Sequence, residues 1–280
     1  MSHSLETFEE ALRSAGRYST ASENRRARPL GGFRAWWRFY IVGVLFTLLG
    51  RASSRLRSGF TQRAFSEMSF AIIRAAEDSG TEVSVEGAAE LSAPGVMPCV
   101  FACNHSSLLE TFQLPCILGA FGPLSIVAKR SLAKYPLFGR CLRAVDPILL
   151  DRKSARHDLA ETLRQGRELL KSGRSVLLFP QGSRSDVFNP AKFNSLGAKL
   201  AAAAGVPLVP VACKTDFARP GRVLKDFGPI DPSRPIRYAI GKPLPPTLPQ
   251  RELQALSTGF ISSTLASWGM AVENGENNEH

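Results

Sequence analysis

The stretch Cys99-Val100-Phe101-Ala102-Cys103-Asn104-His105-Ser106-Ser107-Leu108-Leu109-Glu110 changes character halfway along. Its first half is short and apolar and reads as a buried strand over 99–102. The second half is polar. Ser107-x-x-Glu110 has the form of a capping box, with Ser107 as N-cap and Glu110 at N3. A strand passing through a tight loop into a helix is one step of an alternating α/β layer fold. Six further segments share the strand's apolar, β-branched character: 82–86, 125–128, 148–150, 176–179, 208–212 and 236–240. Helical stretches near 107–117, 130–142, 154–172 and 195–204 lie between them, and 249–270 reads as a closing helix. The alternation predicts an α/β domain over residues 81–270, a largely parallel mixed sheet flanked by helices. In such sheets functional groups collect in loops that leave strand carboxyl ends.

Several of those loops carry groups with chemical capacity. His105 sits just past a strand end, and a residue at N3 faces the entering chain, so the Glu110 carboxylate can reach it. A histidine–carboxylate pair orients the imidazole and stabilises the imidazolium formed when it takes a proton. The bland alternative is that Glu110 only caps its helix. His157, on a charged helix face, reads as an ordinary surface residue. After the strand at 176–179 comes Phe179-Pro180-Gln181-Gly182-Ser183-Arg184-Ser185. Backbone N–H groups, two hydroxyls and a guanidinium in one loop suit a phosphate. The spacing is neither Gly-x-Ser-x-Gly nor that of a nucleotide-binding loop. Lys129 and Arg152 also fall at strand ends, where solvated surface charge is the plain alternative.

In this order the motifs resemble those of glycerolipid acyltransferases of the lysophosphatidate acyltransferase type. Asn104-His105-x4-Glu110 stands where that family has Asn-His-x4-Asp, and 179–185 stands where it has Phe-Pro-Glu-Gly-Thr-Arg-Ser. The block from Lys129 through Gly139 to Arg152 and the Pro-flanked strand at 206–211 match two further family blocks. The resemblance spans about 82–244. Three positions depart: Glu110 adds a methylene, Gln181 removes a negative charge, and Ala144 stands where Gly is common. The resemblance implies transfer of a fatty acyl group from acyl-CoA or acyl-carrier protein to a lysophospholipid hydroxyl. Lysophosphatidate is the first choice of acceptor, and a non-phosphatidate lysolipid such as a lyso-amino lipid is the alternative. It further implies His105 as general base, held by Glu110, and an acceptor phosphate bound by Arg184 with Gly182, Ser183, Lys129 and Arg152. No metal, no cofactor and no covalent enzyme intermediate are implied.

Charge is distributed unevenly along the 280 residues, whose net charge is +11. Residues 1–63 hold eleven Arg, no Lys and four Glu, and from Asn24 to Arg63 there is no acid at all. Such a segment seeks a polyanion, either nucleic acid or an anionic bilayer. Residues 1–32 read as a mobile Arg-rich arm. Phe39 to Gly50 is an uncharged run of 12 residues, roughly 18 Å as a helix against a hydrocarbon core of about 30 Å. It is too short to span. With Trp36, Trp37 and Tyr40 beside flanking arginines, it reads as an interfacial helix. A second helix over 61–78 completes a membrane-associating hairpin at 33–80, and 271–280 reads as a disordered tail. The expected location is the cytoplasmic face of a membrane. The alternative from another class is a basic nucleic-acid-binding protein; no nucleic-acid partner is expected, because a strand-binding arm would interleave polar residues with the aromatics. Five cysteines without a Cys-x-x-Cys pair read as buried free thiols. A Cys103-nucleophile hydrolase is the remaining enzymatic rival.

Overall fold

The computed structural model describes residues 4–26, 29–45, 61–134, 138–143, 145–221 and 227–273. Its strands are β1 Tyr18–Ser19, β2 Val83–Glu86, β3 Val100–Cys103, β4 Leu124–Lys129, β5 Ile148–Leu150, β6 Ser175–Leu178, β7 Leu208–Lys214 and β8 Ile236–Ile240. They form one sheet in the order β1-β2-β8-β7-β3-β6-β4-β5. The five neighbours β7-β3-β6-β4-β5 run parallel. At the other side β8 is antiparallel to β7, β2 parallel to β8, and β1 antiparallel to β2. The sheet is mixed with a parallel centre, as the alternation of segments predicts. The two-residue β1 carries no periodic signal. It forms because Thr20 completes the pairing, its N–H donating to the Val83 carbonyl and its Oγ1 accepting from the Val83 N–H.

Both faces of the central strands are buried, and their side chains alternate between two cores. Phe101 and Cys103 point to one core with Leu177, Val209 and Val211. Val100 and Ala102 point to the other with Val176, Leu178 and Leu208. Helices α1 Leu5–Ala15, α3 Gln62–Glu77 and α4 Leu109–Gly119 supply the first core through residues such as Phe8, Ile72 and Leu114. Helices α6 Ala155–Lys171, α7 Leu196–Ala204 and α8 Gln250–Ser267 supply the second through Leu170, Leu200 and Ile261. Each fully buried Leu, Ile or Phe contributes roughly 1.5–3 kcal/mol by leaving water.

The amino-terminal segment differs from the mobile arm expected of it. Helix α1 is docked: Leu5, Phe8 and Leu12 are buried, one helical turn apart. Ser4 and Thr7 form a reciprocal capping box, and Gly16 ends the helix in the left-handed region at φ 64°. Phe8 packs edge-on against Tyr18 at 4.7 Å, and Arg63 of α3 reaches Glu9 at 2.8 Å. Arg25 and Arg38 likewise meet Glu82 and Asp78, at 3.7 and 3.4 Å. Part of the basic segment is therefore neutralised by the protein's own carboxylates.

Helix α2 Gly32–Trp36 runs on as a π-helix over Trp37–Leu45, with Ala35, Phe39 and Tyr40 buried against the core. Among the described residues no helix is long and apolar enough to cross a membrane. Arg51, Arg55, Arg57 and Ala144 lie outside the described residues. Within the helix expected over 130–142, the described residues form a 3-10 turn at Arg130–Lys134 and α5 Phe138–Arg143. At the other end, residues 271–273 are not part of a loose tail. Phe188 N–H donates to the Ala271 carbonyl at 3.0 Å and Glu273 N–H to the Phe188 carbonyl at 2.9 Å.

One contact fixes α3 to α4. Pro115 lies inside α4 and lacks the N–H its helix requires. Ser69 of α3 inserts its hydroxyl at the next rung, donating to the Phe112 carbonyl at 2.5 Å and accepting from Cys116 N–H at 3.0 Å. A helix break that would leave buried polar groups unpaired becomes an interhelical joint.

Candidate active site

The parallel strands place their carboxyl ends along one rim of the sheet, and the loops leaving them carry the candidate residues. β3 leads to Asn104, whose side chain continues the ladder in place of backbone. Its amide donates to the Cys213 carbonyl at 2.8 Å and its Oδ1 accepts from Cys213 N–H at 2.7 Å. Freed from pairing, the main chain turns at His105. Gln181 accepts the His105 N–H at 2.5 Å, and Ser185 N–H donates to the His105 carbonyl at 3.0 Å. The loop at 179–185 thus grips the histidine's backbone from both sides, and Phe179 stacks on its ring at 4.5 Å. The change from Glu to Gln at 181 keeps the acceptor that this contact uses.

His105 Nδ1 lies 2.9 Å from Glu110 Oε1, with the His side chain 16% exposed and that of Glu110 fully buried. Nδ1 being engaged, Nε2 is the ring nitrogen left for a substrate. The capping box is only half formed. Helix α4 begins at Leu109, and Ser107 Oγ accepts from Leu109 N–H at 3.0 Å instead of from N3. Glu110 does return to the entering chain: its Oε1 accepts from Ser106 and Ser107 N–H at 2.7 and 2.9 Å. Its Oε2 accepts from the hydroxyls of Ser107 and Thr215, at 2.9 and 2.7 Å. Capping and holding the histidine are therefore tasks of one carboxylate. Burial alone would push the Glu110 carboxyl up. The bonds and charge from His105, with those from Thr215 and the backbone, outweigh it and hold the group below the usual carboxylate range.

A cavity of about 420 Å³ opens beside the histidine. His105, Lys129, Arg152 and Gly182 line it, with apolar walls that include Ile126, Leu150 and Leu178. Arg152 sits at φ 56°, a left-handed conformation that a bulky residue adopts only when held. Its guanidinium donates to the Gly182 carbonyl, tying the β5 end to the loop after β6. Gly182 itself is at φ 71°, closing a turn in which its N–H donates to the Phe179 carbonyl at 3.1 Å.

Arg184 does not join that group. It lines a second, smaller cavity of about 100 Å³ with Tyr40, Ser107, Leu108, Phe112 and Arg219. The loops at 104–110 and 179–185 contribute residues to both cavities. Ser183 is exposed and lines neither. Cys103 is buried in the first core and also lines neither, which removes the geometry that a Cys103 nucleophile needs. Thr215, from the end of β7, is the site residue that the sequence alone conceals. No motif marks it, and only the pairing of β3 with β7 brings it to Glu110.

The acyltransferase family model matches residues 82–214, the span that holds the loops at 104–110 and 179–185. A 1-acyl-sn-glycerol-3-phosphate acyltransferase of Pseudomonas aeruginosa is 44% identical over 115 residues, which are 41% of this chain and 44% of that protein. A protein of the same description from Chlamydomonas reinhardtii is 29% identical over 185 residues, 60% of this chain and 54% of the relative. The chain spans about half the length of these curated relatives. The crystal structure of the 1-acyl-sn-glycerophosphate acyltransferase PlsC from Thermotoga maritima superposes with a TM-score of 0.60 at 20% identity. It covers 84% of this chain and 96% of its own, and at that identity it speaks for the fold. The match to the acyltransferase family is thus carried by residues 82–214, and the shared architecture extends a likeness of fold over 84% of the chain.

Proposed function

We propose that the protein transfers a fatty acyl group from an acyl thioester, acyl-CoA or acyl-carrier protein, to the free hydroxyl of lysophosphatidate. The observation that carries this reading is the contact of 2.9 Å between His105 Nδ1 and the buried Glu110 carboxylate, at the edge of an apolar cavity with Lys129 and Arg152. Glu110 fixes the tautomer, so Nε2 accepts the hydroxyl proton as the oxygen attacks the thioester carbon. The tetrahedral oxyanion then collapses, the C–S bond breaks, and the leaving thiolate takes the proton back from the imidazolium. Apolar walls accept an acyl chain. Lys129 and Arg152 on one cavity, with Gly182, and Arg184 on the other supply groups for the acceptor phosphate. Exposed Ser183 stays within reach of the same loop as a further phosphate donor.

The protein works at the cytoplasmic face of a membrane in this reading, lying on the surface through the aromatic segment at 33–45. Support comes from its exposed apolar side chains, with Phe33 at 72% and Trp37 at 49%.

The test is acyl transfer from labelled acyl-CoA and acyl-carrier protein to a panel of lysolipids, including lysophosphatidate and a lyso-amino lipid. Lysophosphatidate is expected to be the preferred acceptor. His105→Ala should lose roughly 10²–10⁴-fold in turnover while keeping its fold. Wild-type turnover in His105→Ala would remove the general base, and preference for the lyso-amino lipid would replace the acceptor.

A further inference from the structure

We propose that Thr215 is a positioning residue for the transfer reaction: its hydroxyl, donated to Glu110 Oε2, keeps the carboxylate turned toward His105. The proposal rests on the general-base reading of His105. Among the described residues five donors meet the Glu110 carboxylate. Four belong to its own turn: His105 Nδ1, the N–H groups of Ser106 and Ser107, and the Ser107 hydroxyl. Those four follow from local chain geometry and would accompany the carboxylate if the turn shifted. Thr215 Oγ1, at 2.7 Å, comes from the residue that follows β7, 105 positions later. It therefore anchors the turn to the sheet.

Thr215 is itself well held. Ser106 Oγ and Ser107 Oγ each lie 2.9 Å from its Oγ1, and the Ser106 hydroxyl suits a donor there. That leaves the Thr215 proton for Glu110 Oε2. On the chain, Thr215 is flanked by Lys214 and Asp216, which pair with each other. Asp216 also meets Arg234 at 2.6 Å, and the Arg234 carbonyl accepts from the Thr81 hydroxyl at 2.6 Å. This ion network braces the end of β7. Threonine suits the position because its hydroxyl both donates and accepts, and its methyl sits in a fully buried site.

His105 Nδ1 and the Glu110 carboxylate are joined by one hydrogen bond of 2.9 Å. Removing a donor from the Glu110 carboxylate raises its proton affinity. Other titratable and charged groups surround it. Cys103 of β3, Cys213 of β7 and Tyr238 of β8 lie beneath, the last two pushed up by burial and the nearby thiol and carboxylate charges. Lys129 and Arg152 line the first cavity, Arg184 and Arg219 the second. None of these is altered by a change at Thr215.

Thr215→Val, similar in shape and without the donor, should lower kcat on the order of 10-fold. It should also move the acid limb of the kcat profile up by about one pH unit, with KM for both substrates unchanged. Thr215→Ser should restore both. If the Val protein does not fold, Thr215→Cys keeps a weak donor and should show a smaller shift in the same direction. A lowered melting temperature with an unmoved acid limb in Thr215→Val, or in Thr215→Cys where that variant replaces it, would overturn the proposal. An active His105→Ala enzyme would instead overturn the reading beneath it, so the two failures are told apart.

Discussion

Glu110 is buried and its carboxyl titrates below its ordinary value, so the folded state favours the ionised form. An unfolded glutamate titrates near pH 4.3. The stability this group contributes is present above about pH 4.3 and is lost as the pH falls through its lower folded value. Glu110→Gln keeps the side-chain shape but not the titration. Its urea midpoint should be lower at pH 7 and should fall less between pH 5 and pH 3 than that of the wild type. Parallel curves would assign the acid sensitivity to other carboxylates, of which Asp216 and Asp231 also titrate below their usual range. The pair of His105 and Glu110 is legible in the sequence because five positions separate its members and a helix start brings them back together. Gln181, Arg152 and Gly182 are legible as loop residues, yet their mutual contacts are not. Those depend on how far apart β3, β6 and β5 sit in the sheet, which no local pattern encodes.

At the scale of elements, the strands at 148–150 and 236–240 coincide with their expected bounds, and the remaining long strands shift by only one or two residues. Apolar, β-branched runs flanked by turn residues leave little choice there. The segment α1 shows the opposite case. Ser4, Leu5, Phe8, Leu12 and Gly16 spell a capped amphipathic helix, but the arginines that follow dominate the composition of the first 32 residues. Leu12 is fully buried, so Leu12→Ala should cost about 2–5 kcal/mol of unfolding free energy, measured by denaturant titration. Ser4→Ala should cost only ~1 kcal/mol through the lost cap. A mobile arm would leave both variants as stable as the wild type.

Among the described residues the exposed large apolar side chains, Leu256 of α8 apart, gather at one place: Phe33, Trp37, Val42 and Leu45, with Phe227 packed against Tyr40 at 5.3 Å. Because α1 is part of the core, removing the amino terminus would confound docking with unfolding, and point changes are the cleaner probe. The double variant Phe33→Ser, Trp37→Ser should fold normally and bind anionic vesicles at least about tenfold less well in flotation. High salt should release the wild type only in part, since screening leaves apolar contacts intact. Complete release by salt would make the attraction purely ionic. A different consequence follows from the bonds of Asn104 to Cys213 and of Glu110 to Thr215, which join segments more than 100 residues apart. During translation, at ~5–20 residues per second, the ribosome finishes His105 on the order of ten seconds before the residues that seat it. A nascent chain carries His105 and Glu110 for all of that time without Cys213 and Thr215, so the site is assembled late in the chain's own synthesis.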